Sequence, residues 1–361
     1  MKAKHSDLSI DLYTTSPATL AHGALPRPGF YAEKGSAYLQ RVIDTARWSE
    51  ECGFRGMLLY IDNSLVDNWG LAQVVIENTK RLIPLIAAQP VYMHPYWAAK
   101  KIATIAYLYG RRIALNMLAG AFRGDLQALG DETPHDERYD RMVEYTKAIR
   151  TLLDARGDPV SFAGRHYKLD NVRMSPPLED ATLAPLVLMS GSSDAGMAAA
   201  RALDAVAVRY PKPVDHYENE PLDTDVAFGV RMGIIAREEE EDAWDVAYTR
   251  FSEDRKGQLT HQLAMKSSDS HWHQQLSGLK QEELTESYPY WLTPFQNYKT
   301  FCPYLVGTYR RIAGIVARYI QAGFRTFITD IPADKEELLH QKIVFELALK
   351  QATLETEGAA R

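Results

Sequence analysis

Ser190, Gly191, Ser192 and Ser193 follow a short apolar run and precede an alanine-rich helical start. Backbone N–H groups, hydroxyls and a helix dipole then converge on one point, which suits a phosphate or another anion. The same residues also serve an ordinary strand-to-helix turn. Asn116 stands near the end of the run ALNMLAG, with Gly120 just beyond it; it either meets a ligand or satisfies backbone groups. In HDERY, His135 and Tyr139 are four apart, so a helix puts both rings on one face. Asp136 or His135 alternatively caps that helix, with Arg138 paired to an acid.

Such groups need a scaffold, and the hydrophobic pattern supplies one. Apolar strand, turn and amphipathic helix recur along the chain, the alternation of a parallel α/β architecture. The pattern predicts strands at 8–14, 54–60, 82–89, 112–118, 184–190, 204–210, 226–236 and 326–331, with helices at 38–52, 69–79, 96–109, 136–156, 238–250, 308–322 and 335–350. Eight strands with helical partners predict an α/β fold, a (β/α)8 TIM barrel whose active site lies at the C-terminal ends of the strands. Segment 160–174 alternates like a short β-hairpin, and 252–302 is a long insertion before the last helix–strand unit. That insertion is either a lid that shapes the substrate site or an oligomer-interface arm. The expected organisation is one barrel domain over 1–361 that carries both.

Composition narrows the function classes. The 361 residues are 46% hydrophobic and 24% charged, with net charge −6 and both signs scattered, so no basic stripe exists for nucleic acid. Cys52 and Cys302 stand far apart outside any metal-ligand spacing, which argues for a reducing compartment and against a disulfide framework or structural zinc. The N-terminal stretch lacks an apolar signal core and no run has the length of a membrane span. A cytoplasmic protein with no membrane contact is expected.

Six segments carry a family resemblance: HPYWAAKKIATIAYLYGRRIALNMLAG, HDERYDRMVEYTKAIRTLL, FAGRHYKL, PLVLMSGSSDAG, FGVRMGIIAREEEEDAW and LVGTYRRIAGIVARYIQAGFRTFITD. In this order they resemble the bacterial luciferase-like, flavin-dependent monooxygenases, and most the branch that includes alkanesulfonate monooxygenase. The resemblance implies a barrel that binds FMN at its C-terminal mouth. It further implies reduced FMN that would react with O2 to give a peroxyflavin and deliver one oxygen atom to a small organic substrate. Asn116 would face the isoalloxazine ring, His135 and Tyr139 the ribityl-phosphate side, and Gly191, Ser192 and Ser193 the phosphate. No G-x-G-x-x-G follows a strand, so the nicotinamide step falls to a separate NAD(P)H-dependent flavin reductase. The oligomer expected is a homodimer or homotetramer.

A peroxyflavin calls for excluded water and a nearby cation. Arg231 is the first candidate for that cation and Lys299, on the insertion, the second; Arg231 is alternatively a structural ion pair across the mouth. His94 is either an acid or base or the shaper of a His-Pro turn. Tyr288, Tyr290, Trp291, Phe295 and Tyr298 make either an apolar lid or the core of the insertion. Several positions depart from the alkanesulfonate branch. Leu65 replaces its Cys, Gly233 its His two residues beyond Arg231, and Ile331 its Tyr, while Lys299 is the nearest counterpart of its lid Arg. Its early His is missing from IDLYTTSPA. The expected substrate is therefore not a simple alkanesulfonate. The alternatives are a deazaflavin-dependent oxidoreductase of the same barrel family and a flavin-binding protein without catalysis.

Overall fold

Short apolar runs become parallel strands here because both of their faces are covered, one by the barrel interior and one by helices. The computed structural model describes residues 8–18, 35–63, 65–120, 123–267 and 290–359. Its first part runs β1 (Asp11–Thr15), α1 (Gly35–Glu51), β2 (Gly56–Leu59), α2 (Asn68–Asn78), β3 (Ile83–Ala88), α3 (Pro95–Tyr109), β4 (Ala114–Met117), α4 (Arg123–Ala128) and α5 (His135–Asp154). The hairpin β5 (Val160–Ala163) and β6 (Lys168–Val172) follows, then β7 (Leu186–Ser190), α6 (Asp194–Leu203), β8 (Val206–Arg209), α7 (Val214–Asn219) and β9 (Phe228–Arg231). The last part is β10 (Gly233–Arg237), α8 (Glu240–Arg250), α9 (Arg255–Ser267), β11 (Tyr290–Trp291), α10 (Thr293–Gln296), β12 (Tyr304–Thr308), α11 (Tyr309–Gln321), β13 (Phe324–Ile328) and α12 (Lys335–Ala359).

Strands β1, β2, β3, β4, β7, β8, β9 and β13 form a closed barrel in that order, the (β/α)8 architecture that the pattern predicts. Closure comes from β1 lying parallel to β13, with Asp11 opposite Thr326 and Tyr13 opposite Ile328. Tyr13, Leu58, Leu85, Ala114, Leu188, Val208 and Ile328 form one buried cluster, the barrel interior. Their strand neighbours Met57, Leu59, Ile86, Leu115, Val187, Met189 and Ala207 belong to the larger cluster under the helices, as the two-residue alternation of a strand requires. Local sequence fixes the helix ends. Pro95 occupies the first turn of α3 behind the His94 cap, and Gly110 closes that helix in the left-handed region.

The expected strand 226–236 is corrected: it breaks at Met232. β9 stays in the barrel, whereas β10 leaves it and lies parallel to β12, with Gly233 opposite Tyr304; β12 in turn pairs antiparallel with β11. Apolar residues flank the break on both sides, so hydrophobic pattern cannot mark where a strand changes sheets. Glycine is required at 233 because a Cβ there would come within 2.4 Å of the Tyr304 ring. The 304–308 run, which the pattern leaves ahead of the last helix, is the central strand of this small sheet. Its Tyr304, Leu305 and Val306 are buried.

Of the insertion, α9, β11 and α10 are described; Tyr288 lies outside the described residues. Tyr290, Trp291, Phe295 and Tyr298 are all buried. Trp291 meets Trp244, Tyr248 and Phe251 edge-on at 5.6 to 6.0 Å, and Phe295 and Tyr298 pack on His261 at 4.7 and 5.7 Å. Among the described residues no helix is long and apolar enough to cross a membrane.

Candidate active site

Counting two residues beyond each interior position gives the layer above the apolar floor. From Leu58, Ala114, Leu188, Val208 and Ile328 the step reaches Tyr60, Asn116, Ser190, Tyr210 and Asp330. Phe228 and Val230 face the helices, so Arg231 joins this layer from β9. An apolar barrel interior is therefore topped by a polar ring at the C-terminal ends of its strands.

On one side of the ring, Ser190 Oγ donates to Asn116 Oδ1 at 3.1 Å. Next to it, the Ser193 hydroxyl accepts from the Gly196 N–H at 3.1 Å and caps α6. Tyr139, 8% exposed, comes down on this turn from α5. A Cβ on Gly191 would stand 2.6 Å from its hydroxyl, so only glycine fits there. Burial raises the Tyr139 pKa, against the opposing hydrogen bond to Ser193. His135 lies on the same helical face, its ring 5.3 Å from that of Tyr139 and its Nδ1 2.7 Å from Asp136 Oδ1. The structure thus brings Asn116 to Ser190, and His135, Tyr139, Gly191 and Ser193 to one cradle.

Across the mouth stands Arg231, 8% exposed. Its Nη2 donates to the Tyr60 hydroxyl at 2.5 Å and lies 3.8 Å from Asp330 Oδ1. Tyr210 also hydrogen-bonds it. Asp330, 5% exposed, accepts at Oδ2 from the Tyr304 hydroxyl at 2.8 Å. Burial opposes the Arg231 charge, but the acidic groups packed round it, Tyr60, Tyr210, Cys302 and Asp330, would each favour it when ionised, and together they hold its pKa above the ordinary arginine value. Burial also pushes Tyr60 and Tyr210 upward, and Cys302 up to about 12. The phenols and the thiol therefore stay neutral, and the arginine keeps its charge.

His94 and Lys299 are placed apart from these two groups. His94 Nδ1 accepts from the Tyr96 N–H at 3.2 Å, and its ring meets Tyr167 of the β5–β6 turn at 5.7 Å. Glu144 fixes that turn by accepting from the N–H groups of Arg165, His166 and Tyr167 at 2.9, 2.7 and 2.5 Å. Lys299 is paired with Asp254 Oδ2 at 2.5 Å, an ion pair inside the insertion. Tyr60, Tyr210, Tyr304 and Asp330 are not among the residues that sequence alone singles out. For three of them the two-residue step from an apolar interior position is the mark that finds them; Tyr304 has none, since it enters from outside the barrel.

The pattern that defines luciferase-like monooxygenases matches residues 19–326. The chain belongs to the luciferase-like monooxygenase family. Membership makes it an FMN-dependent monooxygenase, an enzyme that uses O2. The chain is 33% identical over 324 residues to the 4-(gamma-L-glutamylamino)butanoyl-[BtrI acyl-carrier protein] monooxygenase BtrO of Niallia circulans, a match that covers 88% of this chain and 94% of that protein. Two solved structures are similar in fold. DmoA from Hyphomicrobium sulfonivorans gives a TM-score of 0.72 at 16% identity, over 96% of this chain and 89% of that one. The EDTA monooxygenase EmoA from Chelativorans sp. BNC1 gives 0.68 at 15% identity, over 95% of each.

Proposed function

We propose that this luciferase-like monooxygenase is the oxygenase of a two-component system. It takes reduced FMN from a separate NAD(P)H-dependent flavin reductase and places one oxygen atom of O2 in an acyl group borne on an acyl-carrier protein. The cradle at Gly191 carries the reading. With no side chain at 191, the Tyr139 hydroxyl comes down onto the loop backbone beside the first turn of α6, a convergence of donors that fits a phosphate. Gly191, Ser192 and Ser193 would hold that phosphate, His135 and Tyr139 would lie on the ribityl side, and Asn116, hydrogen-bonded by Ser190, would face the ring. Bound reduced FMN supplies the activation of oxygen. Arg231, held by Tyr60 and Tyr210, presents fixed N–H donors where partial negative charge develops. Phe301 of the insertion, edge-on to Tyr60 at 6.4 Å and backed by Tyr298 at 5.9 Å, lays apolar surface against that side of the mouth and helps to exclude water there.

The carrier-bound substrate rests on the relative at 33% identity, a 4-(gamma-L-glutamylamino)butanoyl-[BtrI acyl-carrier protein] monooxygenase. The resemblance to the alkanesulfonate branch does not extend to its substrate site in this reading, since the Tyr304 ring fills the place above Gly233, the position of that branch's histidine. The test is an anaerobic titration with reduced FMN, followed by oxygen and an acylated carrier protein. The expected result is saturable FMN binding and a carrier-bound product heavier by one oxygen atom. Oxygen consumption that yields only peroxide, whatever acyl group is offered, would exclude oxygenation. Tighter binding of the deazaflavin coenzyme than of FMN would move the chain to the alternative cofactor.

A further inference from the structure

Arg231 is the group at the mouth best suited to hold an anion, yet a carboxylate already faces it. Asp330 Oδ1 lies 3.8 Å from Arg231 Nη2, and the two side chains are 10% and 6% exposed. The Asp330 carboxylate is held on its other oxygen by the Tyr304 hydroxyl at 2.8 Å, and Tyr304 has room only because residue 233 is glycine. Among the described residues the other acidic groups acting on Arg231 are Tyr60, Tyr210 and Cys302, each kept neutral by burial. The next cation toward Asp330 is Arg250. It donates to the Ile331 carbonyl, lies over the rings of Phe251 and Tyr304, and shares its field with Glu337 and Asp334. Arg231 and Asp330 therefore face the mouth as a compensated pair.

We propose that Asp330 is a specificity-determining residue: by compensating Arg231 it closes the mouth to substrates with an anionic reacting end and reserves it for neutral ones. An anion placed against Arg231 would share the guanidinium with a fixed negative charge only a few ångströms away. Rejection through a like charge is a common way to separate substrates of similar shape. The inference rests on the mouth being the oxygenation site, as proposed above, and its test does not require turnover.

Unaltered protein with FMN bound is compared with Asp330→Asn and Asp330→Glu by thermal melting and calorimetric titration, with methanesulfonate and butanesulfonate as probes. Removing one partner of a buried pair leaves the other charge uncompensated, so Asp330→Asn should melt lower and recover as sulfonate is added. Its sulfonate dissociation constant should fall at least about tenfold below that of unaltered protein. Asp330→Glu, which keeps the charge, should gain nothing. Asp330→Ser replaces the asparagine variant if that one does not fold. Sulfonate binding by the unaltered protein that Arg231→Gln abolishes overturns the proposal, as does an unchanged sulfonate affinity in Asp330→Asn. FMN titration of the same samples separates the two levels. Absent flavin binding counts against the functional reading, whereas intact flavin binding without discrimination counts against Asp330 alone.

Discussion

Tyr139 and Ser193 meet over Gly191, so each hydroxyl can be removed with the backbone path intact. Tyr139→Phe should weaken FMN binding by about tenfold, the usual effect of one lost hydrogen bond. Ser193→Ala should do the same and also cost about 1 kcal/mol of stability, because its oxygen caps α6. Fluorescence titration and thermal melting separate the two effects; unchanged flavin affinity in both variants would remove the cradle from the site. Arg231→Gln should slow oxygenation more than it weakens flavin binding and, by leaving Asp330 buried without its counter-charge, should destabilise the fold by about 3 kcal/mol. Single-turnover rates at saturating FMN check the first part, and a normal rate would take Arg231 out of the mechanism. Sequence made one half of this mouth legible. His135 and Tyr139 share a face through their spacing, and the Ser/Gly turn marks its strand end. Asp330 and Tyr60 carry no mark beyond the two-residue step from an interior position, since a lone Asp or Tyr after a strand is ordinary and only barrel closure brings Tyr60 to Arg231.

Elements carry a different set of consequences. The eight barrel strands were readable because an apolar run bounded by turns is nearly unambiguous when it repeats. The β9–β10 break was not, because side-chain periodicity continues through Met232 while hydrogen-bonding partners change. The insertion offers a pH test. Burial lowers the pKa of His261, beneath Phe295 and Tyr298, from 6.5 to about 4. A folded ring that stays neutral while the unfolded one takes up a proton loses stability as pH falls: the contribution is full above 6.5 and declines toward about 4. Melting followed by tryptophan fluorescence, with Trp291 as reporter, should therefore fall more steeply over this window in the unaltered protein than in His261→Phe. Equal slopes would show that the ring is not held neutral. The Lys299–Asp254 pair lies in the same insertion, where a cation tied at 2.5 Å serves the fold of the segment.

For the whole molecule, α3 exposes Trp97, Tyr107 and Leu108 at 56%, 72% and 61%, large apolar groups on its outer surface. Exposed groups of this kind mark association surfaces. A homo-oligomer is expected in sedimentation experiments, and Trp97→Glu combined with Leu108→Glu should shift it toward monomer; an unaltered protein already monomeric would set that expectation aside. The pairing of β1 with β13 reaches further, into how the chain is made. A ribosome releases Asp11–Thr15 first and its barrel partner Phe324–Ile328 near the end, so during most of translation the nascent sheet has two bare edges. Contacts this distant along the chain form slowly, and open strand edges invite pairing with other chains. The yield of folded enzyme then depends on how quickly elongation delivers the eighth strand and on what shields the first while it waits.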